Sequence, residues 1–152
     1  MMVSRATPNH WFEKDMIHKP SQVIQDIALR MATRVIPELG SEFAQADTGL
    51  LIGLLGTLAQ DYERAAYNLD VDIREIKKIF EQAPMDEARI TYLQSQPSSL
   101  HLNDLTAFHD QGQALLIKLH AWAEENDTRL DKAIWAYLRA SSERHKFELP
   151  GT

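Results

Sequence analysis

The chain has 152 residues, 44% of them hydrophobic and 25% charged, with a formal net charge of −6 and no cysteine. At this length roughly two thirds of the surface exposed by the unfolded chain is buried on folding, so a core needs neither metal nor crosslinks. The lack of cysteine excludes a disulfide framework and thiol chemistry and makes a reducing cytoplasm the expected compartment. Basic residues are scattered, with Lys77-Lys78 the only adjacent pair, so no stripe of positive charge matches a phosphate backbone and no nucleic-acid partner is expected.

In chain order, residues 1–20 read as an N-terminal arm without the apolar stretch of a secretory signal. The arm carries one apolar pair, Trp11 and Phe12, which must dock on a helical surface or on a partner subunit. A first helix opens at Pro20-Ser21, repeats apolar residues at Val23, Ile24, Ile27, Met31 and Val35, and stops at Pro37 and Gly40. The second starts between Ser41 and Thr48 and runs to Ala83, before Pro84. It is one helix of about 36 residues, or ~54 Å, with Asn68 as the place where a bend would fall. A short helix over residues 85–94 ends before Pro97. A fourth helix runs from an Asn103 N-cap to Glu125, and a fifth from Asp127 or Thr128 to Lys146. No apolar/polar alternation of the strand kind is sustained anywhere. The expected fold is all-α: an up-and-down bundle of four to five helices around one long central helix, a single domain over residues 21–147 followed by a short tail.

On a helical wheel Leu50, Leu51, Leu54, Leu58, Ala65 and Ile76 form one stripe of the second helix, which reads as its core face. Ala46, Gly49, Gly53 and Gly56 form a separate strip on roughly the opposite side, with Ile52 and Ala59. Each glycine costs a helix roughly 1 kcal/mol relative to alanine, and close approach of another helix backbone offsets that cost. That partner is the first helix or arm of the same chain, or the same helix of a second copy, with a two-fold dimer favoured. The longest uncharged apolar run, Thr48 to Ala59, is far short of the ~20 residues of a membrane span, so no membrane partner is expected.

Two constellations bear on chemistry. His109, Gln113, His120 and Glu124 lie along one edge of the fourth helix, where an imidazole and a carboxylate four residues apart can share a metal ion. Asp47 and Asp61 on the inner face of the second helix are candidate oxygen ligands. The Glu-x-x-His pair of di-iron bundles is absent. Trp122, Trp135 and Tyr137 recur at helical spacing and read as core.

Arg139 and His145 are separated by five residues near the end of the fifth helix, and this spacing is similar to the Arg-x(4–6)-His element of the HEPN ribonuclease and nucleotide-binding bundles. The likeness spans seven residues, with Ala140 where that family usually carries a polar side chain. It implies a nuclease or nucleotide-binding role for that pair.

The expected function is that of a non-catalytic, self-associating helical accessory or partner-binding protein, with no cofactor. The alternative is a bundle that binds a metal or small ligand between the second and fourth helices, with an enzymatic activity. If Trp11 and Phe12 dock as expected, removing residues 1–19 lowers the melting temperature or weakens self-association, read by thermal unfolding and sedimentation velocity.

Overall fold

The computed structural model describes residues 19–147, and Trp11 and Phe12 lie outside them. Among the described residues there are five α-helices and no strand. They are α1 (Pro20–Arg30), α2 (Glu42–Glu81), α3 (Glu87–Gln94), α4 (Leu102–Asn126) and α5 (Thr128–Arg144). The architecture is the all-α bundle expected from periodicity, with one long central helix. α2 is continuous for 40 residues, about 60 Å, and passes through Asn68 as helix. None of these helices is long and apolar enough to cross a membrane.

The first helix is shorter in α geometry than its periodicity suggests. After Arg30 the chain continues as a π-helical stretch, Met31–Val35, and then a 3-10 turn, Ile36–Glu38. Pro37 sits inside that turn and offers no N–H to a continuing α ladder. The start of α4 also differs by two residues: His101, not Asn103, is the N-cap. α5 begins where expected, because the Asp127 carboxylate accepts from the N–H groups of Arg129 and Leu130 at 3.0 Å each.

The chain divides into two compact units, with the boundary inside α2 between Ala59 and Gln60. In the first unit Ser41 Oγ accepts from the Ala44 N–H and Gln45 Nε2 donates to the Leu39 carbonyl at 2.8 Å, which together fix the start of α2. Among its described residues the buried side chains are few: Ser21, Ala28 and Ala59.

The second unit holds the hydrophobic core. Ile76, Ile79 and Phe80 of α2 pack with Tyr92 of α3, Leu105, Phe108, Leu116 and Leu119 of α4, and Leu130, Ile134 and Tyr137 of α5. Tyr92 stacks on Phe108 with ring centroids 4.4 Å apart and meets Phe80 edge-on at 5.6 Å. Lys77 donates to the carbonyls of Leu93 and Ser95 at 3.2 and 2.6 Å, placing an ammonium against the C-terminal end of α3. Tyr137 is core as its spacing suggests, whereas Trp122 and Trp135 are both a little under half exposed. Helical spacing records which residues share a face, and a face can remain open.

Among the described residues the glycine that accommodates a close neighbour is Gly112, on α4. A β-carbon there would collide with the Tyr92 hydroxyl and lie 2.7 Å from its Cζ. Tyr92 is held between Phe80 and Phe108, so its ring has little room to give. Gly112→Ala is therefore expected to destabilise the protein by about 1–3 kcal/mol through overpacking, against the helix-propensity gain of up to ~1 kcal/mol. In a Tyr92→Phe background, where the nearest clashing atom is gone, chemical denaturation should show a smaller loss.

Candidate functional site

Three places in the chain concentrate features that function could use: a polar cluster on a buried carboxylate, a histidine with two acids, and an open apolar face. The first is centred on Asp72, whose side chain is 0% exposed. Arg144, at the end of α5, reaches it with Nε at 3.1 Å and Nη2 at 2.5 Å, and the same Nη2 donates to Glu75 Oε2 at 2.6 Å. Ser141 Oγ donates to Asp72 Oδ2 at 2.9 Å, and His145 Nε2 lies 2.9 Å from that oxygen. Asp72, Glu75 and the donors on α5 meet because i to i+3 spacing on each helix projects both sets to one side.

Burial raises the Asp72 pKa, but hydrogen bonds from Arg144, His145 and Ser141 and the Arg144 charge outweigh it, so the carboxyl lies below its ordinary value. With both oxygens accepting donors, Asp72 is a structural counter-ion rather than a free base. Beside it, Gln113 Nε2 donates to the Tyr137 hydroxyl at 2.6 Å and lies 3.1 Å from His109 Nε2. The Tyr137 hydroxyl is pushed up to about 12, first by burial and then by the Asp72 charge.

The second place joins α4 and α5. His120 Nε2 is 3.1 Å from Asp131 Oδ1 and 3.9 Å from Glu124 Oε1. Of the residues the sequence offers as ligands, His120 and Glu124 are brought together, as are His109 and Gln113. Asp47 is exposed and Asp61 half-buried. Neither belongs to the one group of three potential metal ligands among the described residues, which is His120, Glu124 and Asp131. Asp131 escaped the sequence reading because it lies eleven residues from His120 on the next helix, and only the α4–α5 turn brings the two into register. Arg139 is exposed, and His145 is engaged with Asp72, whose arginine partner is Arg144.

No protein-family model, curated protein or solved structure matches the chain. Its chemistry is therefore read from its own side chains.

The third place is in the first unit. On the glycine strip Ala59 is fully buried, Ile52, Gly53 and Gly56 are half-buried, and Ala46 and Gly49 are exposed. A β-carbon added at Gly49, Gly53 or Gly56 would meet no atom within 4 Å. The leucine stripe departs from its expected place in the core: Leu50 is 70% exposed, Leu54 64%, and Leu51 and Leu58 about half. Phe43, in the same helical phase, is 82% exposed.

The Asp72 cluster gives a pH dependence of definite sign. A folded pKa below the unfolded value of about 3.9 means that ionised Asp72 stabilises the fold above about pH 4, and that this contribution is lost as pH falls through the lower folded value. Asp72→Asn should flatten this acid limb in urea unfolding measured across pH 2–7. Arg144→Ala leaves Asp72 buried without its main partner and should cost about 3–5 kcal/mol at neutral pH.

Proposed function

We propose that the protein is a non-catalytic accessory protein that works by self-association, with the α1 region and the N-terminal part of α2 pairing with the same segments of a second copy. The observation that carries this reading is the exposure of Phe43, Leu50, Leu51, Leu54 and Leu58 along one face of α2. An apolar face of this extent on a water-exposed helix marks an interaction surface. α1 and the π-helical segment add Val23, Ile27, Leu29 and Val35, each between 43% and 61% exposed.

Sequence phase supports a second copy as the occupant. The stripe that includes Leu50, Leu54 and Leu58 continues in phase to Ile76 and Ile79, which are covered by core partners in the second unit. An apolar helix face is completed by an identical face, because two-fold pairing sets the same surface against itself. Residues 48–60 carry no formal charge, so two copies juxtapose there without like-charge repulsion. The glycine strip, on roughly the opposite side of α2 from the leucines, is open too and gives a second backbone another place to come close.

Sedimentation equilibrium of the full chain is expected to give a dimer. Leu54→Glu should convert it to monomer without unfolding the second unit, since Leu54 lies outside the core cluster. A parent chain that stays monomeric at tens of micromolar would sink the proposal. Gly53→Ala reads the strip itself. In the monomeric Leu54→Glu background the methyl meets open space, so it should stabilise by up to ~1 kcal/mol. In the parent dimer that gain should vanish or reverse, because the second backbone occupies the space.

A further inference from the structure

We propose that His120, Glu124 and Asp131 form a binding site for a divalent transition-metal ion, zinc foremost, that links α4 to α5. Imidazole and carboxylate ligands suit zinc and its first-row neighbours, and one ligand atom from each of the three residues lies within 4.8 Å of the others. With metal–nitrogen and metal–oxygen bonds of about 2.0–2.2 Å, ligand atoms around a tetrahedral ion sit about 3.4 Å apart. His120 Nε2 has Asp131 Oδ1 at 3.1 Å and Glu124 Oε1 at 3.9 Å, on either side of that spacing.

The electrostatics favour a cation there. Two carboxylates converge on one ring nitrogen, and among the described residues neither is paired with a lysine or arginine. A single Nε2–H can serve Asp131 but leaves Glu124 unanswered, whereas a metal ion on the Nε2 lone pair serves both. The frame is already built: Asp127 caps the start of α5 and fixes Asp131 in its first turn, and the edge-on contact with Trp135 at 5.3 Å orients the His120 ring. Glu124, with a side chain 56% exposed, is free to close the remaining distance. Three protein ligands leave a fourth position for water or for a group from outside the chain.

The test is titration of the full metal-free chain with zinc by calorimetry, with cobalt as a spectroscopic stand-in. The expected result is one saturable ion per chain, a raised melting temperature, and movement of the His120 Nε2 signal to a metal-bound position in long-range proton–nitrogen spectra. Asp131→Asn and Glu124→Gln should each weaken binding at least about tenfold, and His120→Ala should abolish it. If His120→Ala fails to fold, the two carboxylate variants decide. Absence of saturable uptake overturns the proposal, as does uptake that Glu124→Gln and Asp131→Asn leave unchanged, which would put the ion on other histidines.

Discussion

A carboxylate with no exposure to water must be compensated or it unfolds its surroundings, and Asp72 is such a carboxylate. Its demand for donors dictates where the end of α5 lies. Arg144, His145 and Ser141 all have to reach one point on α2, and Asn68, one turn earlier, donates to the Arg144 carbonyl at 3.0 Å. That last bond satisfies a carbonyl at the helix C-terminus that would otherwise lack a partner. Arg64 does the same for the Lys146 carbonyl at 2.7 Å. Arg64, Asn68, Asp72 and Glu75 on one side of α2 are thus a template for a helix end, and Ile73, Ile76, Ile79 and Phe80 of the same helix belong to the core beside it.

This arrangement separates structural from available polar groups. Asp72 is saturated, Glu75 is committed to Arg144, and Gln113 is shared between His109 and Tyr137. The acids around His120 differ in kind. They lie nearer the surface, they have no cationic partner among the described residues, and they converge on one nitrogen. Burial with full pairing builds specificity into a fold, whereas convergence without neutralisation leaves a place for something to bind.

α2 faces two environments along its length. From Asn68 onward its apolar and polar contacts are met by α3, α4 and α5. Between Phe43 and Leu58 the side chains of Phe43, Leu50, Leu51, Leu54 and Leu58 are open. A helix that is apolar or small nearly all round is ordinarily buried on both sides, so the open stretch is where the chain's own packing stops short of what its composition asks for. The glycines fall within it, and a chain that leaves their faces empty has not used the close approach they permit.

The sequence by itself determined the helices. Periodicity of 3.6, the prolines at positions 20, 37, 84 and 97, and the Asp127 cap place them to within a turn or two, because these signals act within a turn or two of backbone. It also marked His120 and Glu124, which share a helix face at i and i+4. Tertiary structure alone decided which faces found partners. The wheel gives Leu54 and Ile76 the same phase, but Ile76 is sealed and Leu54 is open, since burial depends on what lies opposite. Likewise Gly112 sits unremarked in a core stripe until Tyr92 is set against it, and Asp131 becomes a neighbour of His120 only when the chain turns at Asp127. Local spacing encodes local geometry, while contacts between helices depend on the joint packing of all of them.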